Sequence, residues 1–300
     1  VLPYKKVTHF YGNVSGSCGG SPGGADKNYE INAVTWSHDG QFMSTGRNID
    51  GTKIWKTADI FNPANVPTYE PANVSSNNTP YKHLLSGTTE TDGSDFSPNG
   101  LWFATAYDDS MRVFTLPNFT QIQNISGGGG AVNTIDFLYD SSLVVFGASN
   151  DYARVYETTT WTQVWSHDFG NDHSIKSTRF SPDGQYLAIS GKSTQCSVWR
   201  TSDWTKVCEI IQTGSDSSLP CDDLDTNPAC ESVEWHVDST YLLTSGKKTG
   251  KMYVWDTSTW PGSGSVTLVE ADAAQVVQSE EVGRQIGFID VYENLVIVGG

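Results

Sequence analysis

The residues with the clearest capacity for chemistry lie between positions 196 and 234. Asp223-x-Asp225-x-Asn227 sets hard oxygen donors at alternate positions, and Glu234 falls where a calcium loop of twelve residues carries its last ligand. Such donors can converge on one Ca²⁺, which makes Asp223, Asp225 and Asn227 candidate calcium ligands. Pro228 stands where that loop needs glycine, so a solvated acidic loop without a cofactor is the simpler expectation. Cys221 and Cys230 bracket the same segment at a spacing that suits a loop-closing disulfide. Cys196 and Cys208 lie on two expected strands joined by a turn at Thr201-Ser202-Asp203. If Arg200 faces Trp204, Cys196 faces Cys208, and opposed β-carbons sit about 4.5–5.5 Å apart, near what a bridge requires. Two bridges predict an oxidising compartment, against the alternative of buried reduced thiols. Cys18 is left over, free or available for an intermolecular bond.

Catalytic patterns find little support. The histidines, His9, His38, His83, His167, His173 and His236, form no His-x-His or His-Glu-x-x-His pair, and no Gly-x-Ser-x-Gly elbow occurs. Gly127–Gly130 lacks the Lys-Ser/Thr ending of a phosphate loop and reads as a flexible connection. A non-catalytic protein is the expectation. Asn-x-Ser/Thr sequons occur at Asn13, Asn73, Asn77, Asn118 and Asn124, and all but the last fall in expected loops where a glycan could sit.

The chain has 300 residues, with 34 acidic against 18 basic side chains and a net charge of −16. That field repels polyanions, so nucleic acid and anionic membranes are poor partners. No stretch approaches the roughly 20 apolar residues that span a bilayer as a helix. The chain opens at Val1, for which a cleaved secretory signal, a removed pro-segment or a cloning boundary are the alternatives.

The elements that must position these residues follow from a repeat. An aromatic residue is followed seven positions later by an apolar one at Trp36/Met43, Phe96/Phe103, Phe137/Val144, Phe180/Leu187, Trp235/Leu242 and Phe288/Leu295, with a turn-like stretch between. The fourth unit is the clearest. Phe180-Ser-Pro-Asp-Gly184 separates two strands of period two, a third ends at Val198-Trp199, and a fourth opens near Trp204. The equivalent fourth strands start near Tyr81, Phe119, Trp161 and Trp260. Units of this length, each a four-stranded antiparallel sheet unable to bury both faces alone, predict an all-β propeller, with the repeat aromatics packed between blades.

With Phe180–Gly184, its variants at Trp36 and Phe96, and Val254-Trp255-Asp256, the chain resembles the WD40-repeat family; YVTN-like propellers are the alternative group. The resemblance covers nearly the whole chain and implies a rigid interaction platform, usually non-catalytic. One domain over 1–300 is expected, with units at 31–86, 91–125, 131–167, 174–211 and 231–269. A sixth is shared between 283–300 and a strand at 4–10. Its missing strand has three possible sources: more polypeptide (which would allow seven blades), a three-stranded blade, or another chain. Insertions at 11–30, 212–230 and 57–79 break the spacing, as functional loops do. The expected function is a secreted, glycosylated propeller with a structural or protein-binding role, able to self-assemble from identical subunits. An intracellular WD40-like scaffold and a propeller enzyme or carbohydrate binder are the alternatives.

Overall fold

The computed structural model describes residues 31–47, 51–60, 80–85, 91–170, 174–192, 195–212, 230–246, 251–278, 288–292 and 295–299. Within them the chain is a β-propeller. Its first blade comprises β1 (Ile31–Trp36), β2 (Phe42–Arg47), β3 (Gly51–Lys56) and β4 (Lys82–Leu84). The second has β5 (Ser94–Phe96), β6 (Trp102–Tyr107), β7 (Ser110–Thr115) and β8 (Thr120–Ser126). The third has β9 (Val132–Phe137), β10 (Leu143–Ala148), β11 (Tyr152–Glu157) and β12 (Gln163–Asp168). The fourth is β13 (Ile175–Phe180), β14 (Tyr186–Gly191), β15 (Gln195–Arg200) and β16 (Lys206–Ile211), and the fifth opens with β17 (Cys230–Trp235), β18 (Tyr241–Gly246) and β19 (Lys251–Asp256). β20 (Val266–Val269) and β21 (Gln275–Gln278) follow, then a two-stranded sheet of β22 (Phe288–Tyr292) and β23 (Leu295–Gly299). The strand expected at 4–10 lies outside the described residues.

The sevenfold pairs are cross-strand partners. Trp36 faces Met43, Phe96 faces Phe103, Phe137 faces Val144, Phe180 faces Leu187 and Trp235 faces Leu242. The turn between them is one device repeated, an amide of the fourth residue donating to the carbonyl of the first: Gly40 to Ser37, Gly100 to Ser97, Ser141 to Leu138, Gly184 to Ser181 and Ser239 to His236, at 2.7–2.9 Å. The fourth residue has positive φ, which glycine adopts freely. Ser141 and Ser239 accept the strained conformation because each hydroxyl accepts a bond across the blade boundary, from the Asn99 and Asp183 amides at 3.0 Å. The sixth pair departs from expectation: Phe288 faces Gly299, Leu295 faces Tyr292, and Val291 faces Val296.

First strands join the blades. Asp95, almost fully buried, accepts its own neighbour's amide, Phe96 N, at 2.9 Å and that of Phe137 in the next blade at 2.8 Å. Asp136 does the same for Phe180 at 2.8 Å. In the fourth blade Arg179 replaces the carboxylate; its Nε donates to Glu234 at 3.0 Å, while Trp235 Nε1 donates to the Arg179 carbonyl at 3.0 Å. Buried hydroxyls line the same seams, Ser44 with Ser94 at 3.0 Å and Thr52 with Thr105 at 2.8 Å. Close approach needs Gly147, where a Cβ would lie 2.2 Å from Ile175 Cγ2 of the next blade.

Two readings of the sequence are corrected by non-local contacts. The fifth blade's outer strand does not begin at Trp260. The chain instead sends β20 to pair in parallel with β16, making the fourth sheet five-stranded, and returns with β21 beside β19. The Gly127–Gly130 segment is held rather than loose: Asn150 and Arg154 donate to the Gly127 carbonyl at 2.9 and 2.8 Å, and a Cβ on Gly130 would lie 2.5 Å from the Asn150 backbone nitrogen.

Replacing Asp95 by Ala leaves the Phe137 amide buried without its acceptor. The expected loss is about 2–3 kcal/mol in urea unfolding, against less than about 0.5 kcal/mol for Asn118→Gln on the exposed turn.

Candidate functional site

Blades diverge outward, so each boundary needs a wedge, and the turn before the outer strand supplies one. Phe119, Trp161 and Trp204 all have φ of 54–57°, each amide donating to the carbonyl four residues back at 2.7–2.9 Å. A left-handed non-glycine residue costs roughly 1–2 kcal/mol, a cost offset by burying a large ring between sheets. Phe119 packs edge-on to Phe42 at 5.3 Å, Trp161 to Trp102 at 5.6 Å, and Trp260 to Tyr186 at 5.5 Å. Phe42, Trp102 and Tyr186 hold the same place, at the start of their blade's second strand. In the third blade that place belongs to Leu143, and Trp204 stacks instead on Trp165 of the outer strand β12, at 5.1 Å.

Rings therefore occupy the outer strand here. Trp165, His167 and Phe169 alternate on one side of β12 and its end, where β8 carries Gln123, Ile125 and Gly127, and β16 carries Cys208, Ile210 and Gln212. His167 lies 4.5 Å from Trp199 and 4.7 Å from Phe169, centroid to centroid. Between them and the fourth blade opens a small cleft of about 140 Å³, lined by His167, Phe169, Gln195, Ser197, Trp199, Lys206 and Glu209. Lys206 Nζ meets Glu209 Oε2 at 2.9 Å, and Trp199 Nε1 donates to Ser197 Oγ at 2.9 Å. Burial, then the Lys206 charge, holds the His167 imidazole below its ordinary range and so neutral at pH 7. The arrangement can stack a planar or cationic group and offer it one carboxylate.

This cleft was not foreseen. Its signal in the sequence is Trp165-Ser-His-Asp-Phe169, three rings at period two, a ring content that β8 and β16 lack. Of the expected site residues, Asp223, Asp225 and Asn227 lie outside the described residues, as do Cys18, Cys221, Asn13, Asn73 and Asn77. Glu234 sits on β17 with its carboxylate committed to Arg179 and to the Trp235 amide. Asn118 and Asn124 are exposed, on a turn and on β8. Among the described residues no group of three His, Cys, Asp or Glu side chains converges as a metal site.

The Cys196–Cys208 bridge is corrected. Arg200 bonds to Thr205 rather than facing Trp204, and a bulge between Val198 and Trp199 adds a further residue, so Cys196 faces Ile210 and Cys208 faces Val198. Cys196, Cys208 and Cys230 are free, buried thiols in the core shared by the fourth and fifth blades. The hydrogen bond to Cys230, then burial, raises the Cys196 thiol well above its usual range; burial pushes Cys208 up to about 12. Neither is a nucleophile at neutral pH.

Residues 162–200, from β12 through β15, match the family model described as WD domain, G-beta repeat. The chain is 25% identical over 185 residues to Pre-mRNA-processing factor 19 homolog 2 of Arabidopsis thaliana, covering 60% of this chain and 31% of that protein. It is 24% identical over 235 residues to Protein hir1 of Schizosaccharomyces pombe, covering 71% and 24%. It is 23% identical over 168 residues to COMPASS component SWD3 of Saccharomyces cerevisiae, covering 53% and 52%. The chain thus spans between a quarter and about half of these relatives' lengths. These are intracellular proteins, which overturns the expectation of a secreted, glycosylated, disulfide-bonded chain and favours the intracellular alternative. Accordingly, denaturation with iodoacetamide and no reductant is expected to alkylate Cys196, Cys208 and Cys230 fully, with little reaction in the native state, as peptide mass spectrometry would read. With the matched repeat spanning one blade boundary and the same blade plan recurring on both sides of it, the chain is similar to the WD40-repeat proteins in sequence and architecture.

Proposed function

We propose that this chain is a non-catalytic intracellular scaffold that holds partner proteins within a multiprotein assembly. The observation that carries the reading is the ring-lined cleft between the third and fourth blades, whose rings His167, Phe169 and Trp199 lie inside the stretch that matches the repeat model. Half-exposed aromatic surface fixed on rigid strands is the composition of protein-binding hot spots. The relatives support it: one is named a component of COMPASS and another a pre-mRNA-processing factor. The family's propellers typically serve as platforms, which supports a non-catalytic role.

The test is native size fractionation of the tagged full-length protein from gently lysed source cells, with quantitative mass spectrometry of the peak. The chain is expected in an assembly several times its own mass, with at least one partner at constant ratio across the peak. Elution as a lone monomer at physiological salt would overturn the proposal.

A further inference from the structure

The geometry points to the cleft between the third and fourth blades as a receptor for a basic side chain, an arginine above all, on an extended segment of a partner protein. The inference rests on the scaffold reading and specifies its partner. The groups at the cleft match a guanidinium. His167, Phe169 and Trp199 line the cleft, with His167 4.5 Å from Trp199 and 4.7 Å from Phe169, so a cation seated there comes within the roughly 6 Å over which a ring face attracts it. Glu209 supplies a carboxylate on the same wall as Lys206. Lys206 and Glu209 are 37% and 24% exposed, and a pair this wet contributes little, so the carboxylate can exchange its partner. A planar guanidinium can stack on a ring and bond a carboxylate through two donors, which an ammonium cannot.

The charge of the chain selects the same sign. A net −16 draws basic segments and repels acidic ones. Neutral His167 adds no opposing charge at pH 7. The outer strand β12 is also an edge strand, as β16 would be without β20. The pairing of β20 on β16 shows within this molecule that such an edge accepts an added strand. A segment lying along β12 would carry its side chains past the cleft mouth.

The probe is the peptide acetyl-Gly-Val-Arg-Val-Gly-amide, titrated into the full chain while tryptophan emission and the His167 imidazole NMR signals are followed. The control is the same peptide with citrulline, equal in shape but uncharged. Saturable binding of the arginine peptide, at least about tenfold tighter than the citrulline peptide, is expected. Glu209→Gln should weaken it by about tenfold, and Lys206→Gln should tighten it, because the carboxylate is released. A merely structural role for the ion pair would make both variants bind worse. Equal binding of the two peptides, no saturation, or weakening by Lys206→Gln would each overturn the inference, and the comparison of peptides on the unaltered chain decides even if a variant fails to fold. A chain that resides in an assembly yet ignores the peptide refutes this site alone; a chain that binds the peptide but fractionates as a monomer refutes the scaffold alone.

Discussion

The second, third and fourth blades are each fastened to the next by the side chain just before the aromatic of the first strand. That strand is the edge of its own sheet, so some of its amides have no strand to bond. Asp95 and Asp136 supply the missing acceptors from one blade earlier, to Phe137 and Phe180. A charged acceptor aimed at a buried amide is strong in low dielectric and specific in direction. The fourth blade keeps the fastening with the opposite charge, Arg179 reaching forward to Glu234. The acidic residues that make the composition so lopsided are thus partly interior.

Outward from those seams the fastening is apolar, and its one irregularity makes the cleft. The wedge rings of the second, third and fifth blades rest on a ring of the blade before, whereas Leu143 offers Trp204 of the fourth blade no ring. Trp165 fills that shortfall from β12, bringing Trp165, His167 and Phe169 to a strand that elsewhere carries smaller side chains. A packing substitution in one blade has become a surface feature of the next boundary.

The hairpins were legible because period-two alternation and a Ser-Pro-Asp-Gly turn are local signals. Five of the aromatic pairs are true cross-strand partners for that reason. The sixth differs because spacing alone cannot distinguish Phe288 from Val291, whose amide is the one that donates to the preceding carboxylate, Asp290. Cys196 and Cys208 were misread by two residues, one from the left-handed Trp204 and one from a bulge, and neither is visible in composition. The interblade carboxylates could not be found by looking for apolar core positions, since they are polar and buried. The cleft was half legible: its rings are in plain sequence, but the boundary that joins them to Glu209 exists only once blades are packed. One of the two bridges behind the expected oxidising compartment came from a register that the bulge changes, and the relatives point to the cell interior.

The path of β20 has a mechanical meaning. In a propeller each blade leans on its neighbours, and stability is close to a sum of blade and boundary contributions. Here the polypeptide leaving the fifth blade first laces onto the rim of the fourth, through pairs such as Cys208 with Val266 and Ile211 with Val269, before returning to finish its own sheet. The fifth blade's last strand cannot peel away without slackening a strap on the fourth. The outer strands of these two blades are therefore coupled through backbone pairing, whereas the first blade's outer strand is the short Lys82–Leu84, paired only within its own sheet. The lacing braces one wall of the ring-lined cleft, since Lys206 and Glu209 belong to the strand that the strap holds.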